Sequence, residues 1–188
     1  MQSFTAARDD ATADELWLLE HPPVYTLGLS CKEPLQTGND IPQIHIDRGG
    51  KMTYHGPGQL IAYFLVDMKR KKLGIRALVT AIEQSVIDLL AEYGVAAARR
   101  AGAPGVYVDG AKIAALGLKV RKGCTWHGLS LNIGMDLSPF DAIDPCGYPG
   151  LQVTQMTDVG AVDSQSRIEL RLVKHIRQKL NYNQIIYD

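Results

Sequence analysis

Two turn signals cut the stretch from Val106 to Ile133 into three short apolar runs, and this punctuation constrains the fold more than any other feature of the chain. Asp109-Gly110 separates a run over 106–108 from one over 113–120. A D-G pair between β-rich runs is a hairpin signal, because both residues tolerate positive φ. Arg121-Lys122-Gly123 is a second turn, leading to a strand over 129–133. Upstream, 43–47 and 60–66 read as strands on either side of a glycine-rich loop. Apolar residues Ile75, Leu78, Val79, Ile82, Val86, Leu89, Leu90 and Tyr93 recur at three-four spacing, which predicts a helix over 75–93 stopped by Gly94. A second helix is predicted over 168–180 from Ile168, Leu172, Val173, Ile176 and Leu180, with Ser166 and Glu169 as its capping box. Helices set among consecutive hairpins, rather than strictly alternating with strands, imply an α+β fold with a mixed, largely antiparallel sheet flanked by helices.

With 188 residues the chain suits one domain, 1–188, large enough to bury a core without metal or disulfide support. Its 20 Lys and Arg balance 20 Asp and Glu, which argues against the broad electropositive surface of a nucleic-acid binder. Three cysteines, Cys31, Cys124 and Cys146, form no C-x-x-C pair and suit a reducing, cytoplasmic compartment. The N-terminus is polar, unlike a secretory signal, and the longest strongly apolar run, 60–66, is far short of a membrane span.

Four segments carry residues suited to chemistry. In the first, Arg48-Gly49-Gly50-Lys51-Met52-Thr53-Tyr54-His55-Gly56-Pro57-Gly58-Gln59, glycines let the backbone approach a ligand. It lacks the G-K-[ST] of a phosphate loop, and the Thr53-Tyr54-His55 cluster favours a binding site over a plain connection. In the second, Lys112 follows the Asp109-Gly110 turn at the head of an apolar strand. Such a lysine is either the exposed edge of a hairpin or lies in a dry pocket, where it is a usable base or acid. In the third, Cys124 and His127 have C-x-x-H spacing, but no second pair completes a zinc site, and His127 also reads as a hydrogen-bonded strand residue. In the fourth, Cys146 lies between Pro145 and Gly147 on a constrained loop, which makes it a better nucleophile candidate than Cys124 or Cys31.

Taken in order, R-G-G-x-x-T-Y-H-G-P-G-Q, G-x-K-I-x-x-L-G, H-G-L-x-L-N and P-C-G resemble the lipoyl(octanoyl) transferases of lipoate biosynthesis over 9–157. That resemblance implies the biotin/lipoate protein ligase catalytic fold and transfer of an octanoyl group, without a cofactor or metal. The donor it implies is octanoyl-acyl carrier protein. The acceptor is a lysine on lipoyl domains of 2-oxoacid dehydrogenases and of the glycine cleavage H protein. Carried over to this sequence, Cys146 is the nucleophile that forms a thioester and Lys112 handles its protons. Arg48, Gly49, Gly50, Lys51, Met52, Thr53, Tyr54, His55, Ala115, Leu116, Gly117, Gly128, Leu129 and Ser130 wall the acyl pocket, with His127 in support. The chemistry is coherent: a thiolate exchanges readily with a thioester, and a nearby amine can move the protons.

An ATP-dependent ligase of the same fold is the rival enzyme reading, and a cysteine–histidine metal protein or lipoyl-domain binder the non-catalytic one. Lys69-Arg70-Lys71-Lys72 reads either as a solvated connection or as a patch that steers an acidic carrier protein. Members of the resembled family carry a further strand and helix ahead of the position of Phe4, so Trp17, Leu18 and Leu19 are expected to be less well covered here.

Overall fold

The chain is described by a computed structural model over residues 1–31, 34, 37–144 and 150–187. Both hairpin signals are used. The turns at Asp109-Gly110 (φ 48° and 84°) and Lys122-Gly123 (φ 52° and 89°) are left-handed at both central positions, which matches the right-handed twist of the strands they join. They connect β6 (Gly105–Val108), β7 (Ala111–Arg121) and β8 (Cys124–Asn132), while β1 (Glu15–Leu19) and β5 (Gln59–Leu65) complete an antiparallel sheet of order β1-β5-β8-β7-β6 among the described residues. A second sheet has β2 (Val24–Leu27) at its centre, with β3 (Gln43–His45) parallel and β4 (Met52–His55) antiparallel to it. The mixed, largely antiparallel α+β expectation holds.

The larger sheet sorts its side chains by alternation. Leu60, Ala62 and Phe64 of β5 and Leu129 and Leu131 of β8 face α2 (Ile75–Ala91) and α3 (Gln165–Lys179), where Leu78, Ile82, Leu172 and Ile176 close the main core. The other face turns Ile61, Tyr63, Ser130, Ala115 and Gly117 toward the smaller sheet. Beneath that sheet, Tyr25, Leu27, Met52 and Tyr54 pack with Met135, Phe140 and Ile143 into a second core. Helix α2 ends before Gly94 (φ 76°), a left-handed stop of the kind glycine supplies without strain.

One irregularity decides which face Lys112 takes. Tyr107 pairs with Lys112 but Val106 pairs with Ala114, so Ile113 is an extra residue opposite the β6 strand. Ile113 and Ala114 both enter the main core, and Lys112 is thereby turned to the opposite face, with Ala115. Strict alternation would have sent Lys112 into the helical core beside Ala114.

Several local expectations are corrected. The stretch expected as a glycine loop contains strand β4, because Met52–His55 pairs along β2. Strand β8 starts at Cys124, well before the expected position, since it pairs with β7 directly from the turn. The capping box does not form. Helix α3 begins at Gln165 with Ser164 as N-cap, so Ser166 is already inside the first turn and Glu169 accepts a bond from Gln165 Nε2 at 2.9 Å. Strand β1 is half-buried along its length, and Phe4 of the short helix α1 (Gln2–Ala7) covers Trp17 edge-on at 5.9 Å. Because Ile82 is fully enclosed between α2 and the sheet, Ile82→Ala is expected to cost about 2–5 kcal/mol in urea unfolding with an unchanged m-value.

Candidate active site

A cavity of about 600 Å³ opens between the two sheets, within the size range of small-ligand sites. Its floor is a row of small residues: Ala115, Gly117 and Ser130, which alternation brings to this face of β7 and β8, and the bare backbone of Gly128. Leu116 and Leu129 border it through their backbone neighbourhood while packing toward the helices. Arg48, Gly49 and Gly50 form the roof, and Gly49 donates its N–H to the Leu118 carbonyl of β7 at 3.3 Å. The absence of a Cβ matters at Gly117, where one would stand 3.0 Å from the Gly49 carbonyl and 3.2 Å from Arg48 Cδ. Thr53 and His55 of β4 also line the cavity. Met52 and Tyr54, expected there, point the other way into the second core because a strand alternates, and Lys51 is exposed at the start of the strand.

Lys112 lies at one end of this space, 3% exposed. Its Nζ donates to the Pro104 carbonyl at 3.2 Å and lies 5.3 Å from the centre of the Tyr107 ring. Lys112 is therefore buried and not the exposed edge of the hairpin. Pro104 is held in turn by Glu83, a buried carboxylate on α2 that accepts from the Gly105 N–H at 2.9 Å and from Arg99 at 3.0 Å. A charged residue among the apolar positions of a helix was the signal for Glu83, which sequence reasoning missed. Cys146 lies outside the described residues. The chain that follows it pairs with the lysine: Lys112 N donates to the Gln152 carbonyl at 2.8 Å and Thr154 N to the Lys112 carbonyl at 3.0 Å. The chain before it is fixed by the Tyr25 hydroxyl, which donates to the Pro139 carbonyl at 2.8 Å.

A polar band runs from the cavity roof into the adjoining interior. Arg48 donates to Thr26 Oγ1 at 2.8 Å and to its carbonyl at 2.6 Å, and Thr26 Oγ1 meets His55 Nε2 at 3.2 Å. His55 Nδ1 faces Gln59 Oε1 at 2.7 Å, Gln59 Nε2 donates to Asn132 Oδ1 at 2.9 Å, and Asn132 Nδ2 to the Thr154 carbonyl at 2.9 Å. This order makes His55 neutral, with its proton on Nδ1. Burial pushes its imidazole down to about 4; the Gln59 bond opposes this, and Arg48, His21 and His127 add to it. Farther along, His21 Nε2 meets the Tyr63 hydroxyl at 2.6 Å, and His127 Nε2 donates to Asp47 at 2.7 Å. Thr26, Asp47, His21 and Tyr63 were not singled out in the sequence. Gln59 and Asn132 close two of its motifs, and that was their signal.

Other candidates fall elsewhere. Cys124 is at the turn end of β8, away from the cavity, and among the described residues no three His, Cys, Asp or Glu side chains are placed to share an ion. The basic cluster follows β5 beside Gly123, at the opposite end of β7 from Lys112, roughly 30 Å along the strand. Arg70 is tied to Asp14 at 2.6 Å, and Lys71 lies 3.8 Å from the centre of the Tyr182 ring. Half of the patch thus fastens the chain's own terminal segments. No helix is long and apolar enough to cross a membrane among the described residues.

Because His55 is held below its unfolded value, the unfolded chain takes up its proton first as pH falls. The stability from the neutral ring is present above about pH 6.5 and is lost as pH drops toward 4. His55→Asn is expected to flatten urea-unfolding stability over that window by roughly 2–4 kcal/mol relative to the wild type. NMR should show the His55 ring uncharged at pH 5.5.

The family model of the lipoyl protein ligase A/B catalytic domain matches residues 1–177. Among curated relatives, the octanoyltransferase of Thiobacillus denitrificans is 61% identical over 96% of this chain and 83% of its own length. Those of Azoarcus sp. and Nitrosococcus oceani are 57% and 54% identical, over 96% and 100% of this chain and 80% and 84% of theirs. Of solved structures, a lipoate-protein ligase A bound with ATP superposes with TM-score 0.76 at 16% identity, over 96% of this chain and 78% of that one. A putative lipoate protein ligase from T. acidophilum with bound lipoic acid gives 0.75 at 16% identity over the same shares. The structures speak for the fold and the sequence relatives for the branch: the chain belongs to the lipoyl protein ligase A/B catalytic family, among its octanoyltransferases.

Proposed function

We propose that this chain transfers an octanoyl group from octanoyl-acyl carrier protein to a lysine of lipoyl domains, in the cytoplasm, through a thioester on Cys146. The observation that supports the reading is Lys112, a lysine buried at one end of an open cleft whose floor is small residues. Two further facts favour Cys146 as its partner. The chain rejoins β7 at Lys112 itself six residues after the cysteine, and Cys124 lies at the far end of the sheet.

The steps balance without an external energy source. Lys112 takes the Cys146 proton, and the thiolate attacks the donor thioester carbonyl. As the tetrahedral species collapses, the carrier's thiolate leaves and takes the proton from Lys112. The acceptor amine then attacks the Cys146 thioester, Lys112 receives the proton that the nitrogen sheds, and the Cys146 thiolate departs and is reprotonated. One thioester and one amine become one amide and one thiol.

Intact mass after incubation with octanoyl-acyl carrier protein should show one added octanoyl group, absent in Cys146→Ala and kept in Cys124→Ala and Cys31→Ala. Lys112→Ala should slow acylation by roughly 10²–10⁴-fold while leaving the melting temperature unchanged. Octanoyl labelling of Cys146→Ala, or adenylate formation from octanoate and ATP as the route to the amide, would overturn the mechanism.

A further inference from the structure

Along β7 and β8 the cavity lining runs from Lys112 to Leu118 and His127. Its reactive end is the row Gly105–Ala115–Ser130, since Gly105 pairs with Ala115, Ala115 with Ser130, and a Cβ on Gly105 would stand 3.4 Å from Lys112 Nζ. Three residues on, Leu118 pairs with His127. At about 3.3 Å per residue the two rows are roughly 10 Å apart.

His127 has φ 59°, a left-handed conformation inside a nine-residue strand, and strain of this kind persists where the surroundings impose it. The ring so placed is held by Asp47. His127 Nε2 donates to Asp47 Oδ1 at 2.7 Å, and the preceding Trp126 donates from Nε1 to the same oxygen at 3.3 Å. Neighbours on a regular strand point to opposite faces; here the kink brings both rings to one carboxylate. The kink also presses the next residue onto β5, where any Cβ at Gly128 would collide with the Ala62 carbonyl. The pair His127-Gly128 is thus one device. Tyr63, fixed by its bond to His21, meets the His127 ring edge-on at 6.1 Å, and both rings line the cavity. Burial, opposed by Asp47, holds the His127 imidazole below its ordinary range.

We propose that His127, locked against Asp47, is the end-stop of the acyl channel and sets its depth at about eight carbons. The proposal rests on the acyl-transfer reading above and adds the residue that fixes chain length. Seven carbon–carbon bonds, each advancing roughly 1.3 Å along an extended chain, span about 9 Å, within one bond of the roughly 10 Å between the two rows. A chain two carbons longer meets the His127 ring, and one two carbons shorter leaves the last part of the channel unfilled.

Single-turnover acylation of the full chain by hexanoyl, octanoyl, decanoyl and dodecanoyl pantetheine thioesters, followed by intact mass, tests this. For the wild type, second-order rates should rise roughly tenfold from six to eight carbons, as two more methylenes are buried, and fall at least tenfold from eight to ten. His127→Gly suits the left-handed backbone and removes the ring; its decanoyl-to-octanoyl ratio should rise at least tenfold. Asp47→Ala, which frees the ring from a half-exposed carboxylate, should move the ratio in the same direction and carries the test if His127→Gly does not fold. An unchanged ratio in a folded variant, or equal wild-type rates for eight, ten and twelve carbons, overturns the end-stop while leaving acyl transfer intact. Failure of every thioester to acylate the wild type overturns the transferase reading and the end-stop with it.

Discussion

The extra residue at Ile113 is the feature on which the site depends. It lets two consecutive side chains, Ile113 and Ala114, enter the helical core and turns Lys112 to the other face of the sheet. A lysine cannot be left there unsupported, because a buried ammonium or amine needs hydrogen-bond partners. The Pro104 carbonyl supplies one, and Glu83 keeps Pro104 in place by holding the next residue's N–H. The backbone of Lys112 in turn receives Gln152 and Thr154, so the same few residues orient the amine and anchor the chain leaving the P-C-G segment. Removing the bulge would undo both.

The rest of the channel follows from a division of labour between two sheets. The larger one buries its bulky alternate residues against α2 and α3 and reserves small ones, Ala115, Gly117, Gly128 and Ser130, for the ligand face. The smaller one contributes glycines and Arg48 as a roof and spends Met52 and Tyr54 on a core of its own. One band of polar groups runs from Arg48 through Thr26, His55, Gln59 and Asn132, each satisfied by the next. A satisfied network of this kind is rigid, which suits a wall that must hold a thioester in register.

Much of this was legible in the sequence, for physical reasons that differ from element to element. Asp109-Gly110 and Lys122-Gly123 announce hairpins because few other pairs accept two left-handed residues, and α2 announces itself by its three-four spacing. The motif residues around Arg48, Lys112 and Gly128 do converge on one cavity. What could not be read is where period two breaks. Ile113-Ala114 looks like any apolar pair, and nothing in Trp126-His127 shows that both rings meet Asp47, 79 and 80 residues away. The basic run at 69–72 read as a surface patch because its partners Asp14 and Tyr182 are remote in sequence. The expected capping box failed by two residues, a shift that propensity alone does not resolve.

If Lys112 serves the Cys146 thiol, its loss must change that thiol's reactivity before any substrate is present. The rate of iodoacetamide alkylation at Cys146, read by peptide mass at neutral pH, measures this directly, since only the thiolate reacts appreciably. In Lys112→Met the rate at Cys146 is expected to fall at least tenfold, with Cys31 and Cys124 unaffected. Equal rates at Cys146 in the wild type and in Lys112→Met would show that the two groups do not act together, and would contradict the assignment of the buried lysine.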